Sequence, residues 1–169
     1  LPICKRYGFA TGLNVENNIV MASFNQIMGA LGWVNDSKAR SIAEHFVTTL
    51  SIKTPSIQQI AKNLSGGNQQ KLVIGKWLAK DTNILIFDEP TRGIDVGAKS
   101  EIYHLLNELA QQGKSIIMIS SELPEILRMS HRIVVMCEGQ ITGELSYKEA
   151  TQESIMRYAT LRGGIVNDN

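Results

Sequence analysis

Three short apolar runs constrain this chain most: Ile84-Leu85-Ile86-Phe87, Ile116-Ile117-Met118-Ile119 and Ile133-Val134-Val135-Met136. Unbroken runs of this length read as strands covered on both faces, and they are too short to span a bilayer. Between the first two, Ile102, Leu105, Leu106 and Leu109 recur at i, i+3, i+4 and i+7, the stripe of an amphipathic helix. Gly113 follows as its stop. Strand, helix and strand at this spacing imply parallel pairing through a right-handed crossover. Glu138-Gly139-Gln140 then reads as a turn into a short strand from Ile141 to Leu145, and a last helix is predicted over roughly 147–159. The remainder, from Gly163-Gly164 to Asn169, reads as a loose tail.

Residues 1–63 differ in character. Ile42, Ala43, Phe46, Val47 and Leu50 form one helical face, with Asn35-Asp36-Ser37 as a capping signal and Pro55 as a breaker. The fold class expected is therefore α/β, a mainly parallel sheet with helices plus a helical subdomain. Residues 1–80 would carry the subdomain, 81–160 the core and 161–169 the tail. Of the 169 residues, 43% are apolar and the formal charge is +1, so bulk electrostatics favours neither a nucleic acid nor a membrane surface. The two cysteines, Cys4 and Cys137, lack CxxC or zinc spacing and suit a reducing compartment. No secretory signal is visible, and the chain opens Leu1-Pro2 rather than with Met, which reads as a fragment or an unusual start.

Three groups of residues carry chemistry. In Leu64-Ser65-Gly66-Gly67-Asn68-Gln69-Gln70-Lys71, two glycines admit a close backbone approach and Ser65 adds a hydroxyl. The helix that follows offers unpaired N–H groups to an anion. The alternative is an ordinary helix cap on a flexible loop, and the local physics leaves both open. Asp88-Glu89 stands at the C-terminal end of a strand, where ligands bind in open α/β sheets. There Asp88 suits water-mediated contact with Mg²⁺ and Glu89 suits polarising a water, although a polar strand end turning at Pro90 would look the same. In Thr91-Arg92-Gly93-Ile94-Asp95, the better local reading of Asp95 is the N-cap of the next helix.

Order and spacing are far more specific than any one group. LSGGNQQK, a strand ending in FDEP, a loop with GID, a helix and another strand resemble the ATP-binding-cassette family from about Lys5 to Thr160. Residues 64–71 match the signature motif, 84–89 the Walker B strand with its carboxylate, and 92–95 the D-loop. The wording LSGGNQQK with DEPTRGID resembles the second cassette of the double-cassette proteins that power bacterial monosaccharide importers. The resemblance implies that two cassettes sandwich ATP head to tail. Ser65, Gly66, Gly67 and Gln69 would then cap the nucleotide of a partner cassette. Asp88, through water and Mg²⁺, with Glu89 and Ser121, would serve a nucleotide on the chain's own phosphate loop, and Asp95 of the D-loop would also take part in nucleotide binding. It also implies permease subunits at the inner membrane, a periplasmic sugar-binding protein acting indirectly, no nucleic acid, and a peripheral position on the cytoplasmic face.

Two departures qualify the resemblance. The G-x-x-x-x-G-K-[ST] loop is missing: Gly113-Lys114-Ser115 is the only GK[ST] tripeptide, but Glu108 stands five residues before Gly113. It also joins a helix to a strand, the reverse of the required order, so it reads as a helix stop. At the switch position, where the family usually has histidine, Ile119-Ser120-Ser121-Glu122 places Ser121, and His45, His104 and His131 lie elsewhere. Without the phosphate loop, residues 1–169 alone are expected neither to bind ATP tightly nor to hydrolyse it. One alternative is a non-catalytic remnant or interaction partner. Another is a DNA-repair or chromosome-associated ATPase, against which the short helical stretch without heptads argues.

Overall fold

The computed structural model describes residues 8–29 and 32–161. Cys4 and the tail expected from Gly163 onward lie outside the described residues. The chain divides into two units, Leu1–Ile119 and Ser120–Asn169. No helix of the described residues is long and apolar enough to cross a membrane.

In the first unit, α1 (Val15–Val20) runs through a 3₁₀ turn (Met21–Ser23) into the short α2 (Phe24–Ile27). Next come α3 (Asp36–Thr49), a second 3₁₀ turn (Ala61–Asn63), α4 (Gly66–Leu78), β1 (Ile84–Asp88), α5 (Val96–Gln111) and β2 (Ser115–Ile119). The capping signal before α3 holds: the Asn35 side chain accepts from Lys38 N at 3.0 Å. Its apolar face turns inward, with Ala43 and Leu50 buried. Asn18 is fully buried and stapled to the loop before α1, accepting from Ala10 N at 2.7 Å and donating to Ala10 O at 3.0 Å.

The centre of this unit is α4. Leu72, Val73 and Ile74 are consecutive and all fully buried, so the helix is enclosed around much of its circumference. Each such side chain contributes about 1.5–3 kcal/mol of burial free energy. Gly75 lets α3 approach, since a Cβ there would lie 3.1 Å from Leu50 Cδ1.

β1 and β2 pair in parallel, in register from Ile84 opposite Ser115 to Asp88 opposite Ile119. The connecting α5 buries Ile102, Leu105, Leu106 and Leu109, the stripe read from the sequence. Gly113 stops it at φ +87°, a left-handed conformation that glycine adopts without strain. Lys114 pairs with Asp81 at 3.0 Å, and Ser115 opens β2, so Gly113-Lys114-Ser115 is a helix stop as expected. The expectation of strands covered on both faces is corrected. Leu85 and Phe87 are buried, but Ile84 is 62% exposed and Ile117 and Ile119 are each 51% exposed. Among the described residues one face of this two-stranded sheet is covered and the other is not.

The second unit holds α6 (Leu123–Met129), β3 (Arg132–Cys137), β4 (Gln140–Ser146) and α7 (Gln152–Ala159). The third apolar run does not extend the parallel sheet; β3 pairs antiparallel with β4. Their turn, Glu138-Gly139, has φ +49° and +81°, the positive pair of a tight hairpin whose twist matches its strands. Ile133, Val135, Leu145 and Ile155 form the core of this unit, with Tyr158 packed against it. Gly143 makes room for Tyr158, since a Cβ there would lie 2.5 Å from its ring. The last helix begins five residues later than expected. Ser146 N and Oγ both donate to Glu149 Oε2, at 3.1 and 2.6 Å, which closes 146–149 into a turn. A capping box between Thr151 and Ser154 then starts α7.

Candidate functional site

The residues singled out in the first unit sit at two helix starts and one strand end. Ser65 is the N-cap of α4, with extended backbone at φ −61° and ψ 159°. Its side chain does not cap the helix, although serine in this position usually does. The hydroxyl oxygen accepts from Asn68 Nδ2 at 2.8 Å instead. The N–H groups of the first turn have no intrahelical carbonyl to meet, so Gly66, Gly67 and Asn68 present donors at the positive end of the helix. Ser65 is exposed and Gly66 half-buried. Gln69 turns back on the chain, donating through Nε2 to Leu64 O at 3.0 Å and Lys62 O at 3.2 Å.

Gly67 has a packing reason beyond backbone access. A Cβ there would lie 2.8 Å from Ala98 Cβ, closer than side chains pack, so glycine brings the first turn of α4 onto the first turn of α5. One turn further along both helices, Lys71 Nζ meets Glu101 Oε2 at 2.9 Å. The two contacts have the same sense, 67 with 98 and 71 with 101, so both helices start at the same end of the unit. Lys71 is buried, and its ammonium also donates to Ser51 O at 3.2 Å. A hydrogen bond from Lys71, and then its charge, hold the Glu101 carboxyl below the usual carboxylate range.

Asp95 caps α5 as its local reading predicts, with Oδ1 accepting from Ala98 N at 2.9 Å. The chain reaches it from β1 through two tight turns: Arg92 N donates to Glu89 O at 3.2 Å, and Ile94 N to Thr91 O at 3.3 Å, with Gly93 at φ +69°. Asp88 ends β1, and both Asp88 and Glu89 are half-buried. Glu89 has φ +48°, a conformation uncommon for a residue with a Cβ. Its N–H donates to Ile119 O at 2.8 Å, which pins this backbone to the end of β2. Strained φ values held by surrounding bonds gather at working sites. Ser121 lies in the second unit, exposed, between β2 and α6. Its neighbour Ser120 accepts from Glu122 N at 3.0 Å.

The first unit thus offers hydrogen-bond donors around Ser65 and carboxylates at 88–89. Donors of that kind suit an anion, and a pair of carboxylates suits a cation or a polarised water. Among the described residues no cluster of three or more His, Cys, Asp or Glu side chains could hold a metal by itself. A single carboxylate is still enough for a hydrated Mg²⁺ that takes its other ligands from phosphate. A cleft of about 540 Å³ between the end of α3, α4 and α5 is lined by Lys53, Lys71, Glu101 and His104; Ser65, Gly66, Gly67, Gln69, Asp88, Glu89 and Asp95 do not line it. Reasoning from sequence missed Asn68 and Glu101 because their partners, Lys53 and Lys71, are distant in the chain.

The ABC transporter family matches residues 7–92. A Burkholderia ambifaria protein named as a ribose/galactose/methyl galactoside import ATP-binding protein is 57% identical over 162 residues, 96% of this chain and 32% of its own length. The ribose import ATP-binding protein of Clostridium tetani is 53% identical over 155 residues, 92% of this chain and 31% of its own. The chain therefore spans about a third of the length of these relatives. Among solved structures, a dimeric bacterial ABC transporter cassette superposes with TM-score 0.72 at 20% identity, covering 86% of this chain and 61% of that one. A second cassette of an ABC transporter gives TM-score 0.73 at 21% identity, covering 88% and 63%. At these identities the likeness is one of fold.

Proposed function

The chain belongs to the ABC transporter family, and from that premise we propose that it forms part of an ATPase driving import of a monosaccharide. The observation that carries the proposal is the first turn of α4. It leaves its N–H donors and the exposed Ser65 hydroxyl uncapped, in a family whose signature motif lies there. The names of the relatives, at 53–57% identity, support a sugar as the cargo.

In this reading Ser65, Gly66 and Gly67 meet the terminal phosphate of an ATP held by a partner cassette. Gln69 secures the loop before them through its two backbone bonds. Asp88 would hold Mg²⁺ through water, and the ion would offset phosphate charge. Glu89 orients and polarises the attacking water at the end of β1. Asp95 shapes the D-loop by capping α5. Ser121 donates a hydrogen bond where a histidine would add charge. The three contacts from Ser65, Gly66 and Gly67, at about 1.5–3 kcal/mol each when charge-assisted, are a substantial part of nucleotide binding. Residues 1–169 contain no phosphate loop, so the nucleotide served by Asp88 and Glu89 needs one supplied outside this sequence. The assembly proposed is two cassettes on permease subunits at the cytoplasmic face of the inner membrane, fed by a periplasmic sugar-binding protein.

The test is Glu89→Gln in the native full-length protein, assembled with its permease. Steady-state ATPase turnover is expected to fall on the order of 10²–10⁴-fold. An unchanged rate would assign turnover to the other nucleotide of the sandwich.

A further inference from the structure

We propose that Asn68 is a positioning residue that fixes the Ser65 hydroxyl as an outward-pointing hydrogen-bond donor. The inference rests on the reading of Ser65 as a contact for the partner cassette's nucleotide.

The geometry is a two-step relay. Lys53 N donates to Asn68 Oδ1 at 2.8 Å, and Asn68 Nδ2 donates to Ser65 Oγ at 2.8 Å. A backbone N–H can only donate, so the amide oxygen of Asn68 has to face Lys53 and its NH₂ has to face Ser65. The serine oxygen therefore accepts in this pair, which leaves its own hydrogen for a different acceptor. Ser65 Oγ takes no backbone N–H of α4 either, so the Asn68 amide is what occupies its oxygen. An exposed hydroxyl on a free rotor would sample several directions. Here one lone pair is held, and the orientations that keep the proton available are selected.

The relay is anchored at its far end. Ser51, just past α3, has φ +49°, and its carbonyl accepts from the buried Lys71 at 3.2 Å. Ile52 is buried, and its N–H donates to Val47 O at 2.9 Å. These contacts fix the backbone that presents the Lys53 N–H. Lys71 is in turn held by Glu101 at 2.9 Å. The relay thus connects the donor at Ser65 to the joint between α4 and α5. Aspartate at 68 would invert it: a carboxylate accepts from Lys53 N–H and also from the Ser65 O–H, which draws the proton inward.

The experiment is a double-mutant cycle on steady-state ATPase activity of the native full-length protein in its assembled transporter. Ser65→Ala is expected to lower kcat about tenfold, with KM for MgATP within about twofold, because the contact forms only in the closed sandwich. Asn68→Asp is expected to match that loss, and Asn68→Ala to show a smaller one. In the Ser65→Ala background, Asn68→Asp is expected to add less than about twofold. An effect of the added charge alone would persist in that background, and full multiplication of the two losses overturns the proposal. So does an Asn68→Asp protein with the parent kcat. Should Asn68→Asp fail to fold, the same cycle with Asn68→Ala decides: non-additivity supports the relay and additivity overturns it. A Ser65→Ala protein with unchanged kcat would overturn the underlying reading of the signature turn as well as the relay.

Discussion

The starts of α4 and α5 have nearly the same backbone and opposite chemistry. Ser65 and Asp95 sit at φ −61°, ψ 159° and φ −67°, ψ 160°. Asp95 takes the Ala98 N–H and sets a negative charge against the positive helix end, which closes that end. Ser65 takes no backbone N–H of its own helix, and the Asn68 side chain occupies its oxygen instead. One start is closed by its own cap side chain and the other is left without a cap bond. Cap geometry alone therefore does not say whether a helix terminus is structural or functional. The hydrogen-bond partners of the cap side chain do.

The contrast can be broken in several ways. The largest effect is expected where the two starts touch. Gly67→Val would place a branched Cβ against Ala98, and overpacking of this kind costs about 1–3 kcal/mol. Thermal unfolding should show a midpoint several degrees lower, and an unchanged midpoint would mean that the first turns are not in contact. Next comes the pair of caps. Asp95→Ala should cost about 1 kcal/mol in urea unfolding, the usual loss of a capping side chain. Ser65→Ala should stay within about 0.5 kcal/mol, as a surface change that removes no cap bond. Equal losses at the two positions would erase the difference between the two starts.

The smallest effect concerns the Lys71–Glu101 pair. The Glu101 carboxyl is held below its ordinary range in the folded chain, first by the hydrogen bond from Lys71 and then by its charge. A depressed folded value means that the unfolded chain binds the extra proton more readily. The stabilisation is therefore full above the ordinary carboxylate range and is lost as pH falls through the depressed value. Because Glu101 is about half exposed, the effect is modest. In that acid window Glu101→Gln should flatten the dependence of stability on pH. Parallel acid profiles for parent and variant would remove this pair from the joint.

Features set by near neighbours were legible in the sequence. Asp95 as the cap of α5, Gly113 as its stop and Asn35 as the cap of α3 each depend on residues within a turn or so. The start of the last helix is not legible, because the turn that delays it depends on side-chain bonds. Glu149 bonds Ser146, and Thr151 supplies the true cap. An unbroken apolar run reports what a strand can bury, and residues 8–29 and 32–161 cover only one face of β1 and β2. Ile84 and Ile117 stay more than half exposed among the described residues.

The sequence by itself determined the order of the elements, the family motifs and their spacing, and the absence of a phosphate loop within these 169 residues. Periodicity and local caps act over a few residues, so they can be read along the chain. Only the tertiary structure decided what the polar groups of the signature turn are committed to. Ser65 keeps its proton because Asn68 reaches Lys53, fifteen residues back, and Gly67 is small because Ala98 lies against it. A donor or acceptor is used up by whichever group lies within hydrogen-bond reach, and folding brings those groups together from distant parts of the chain.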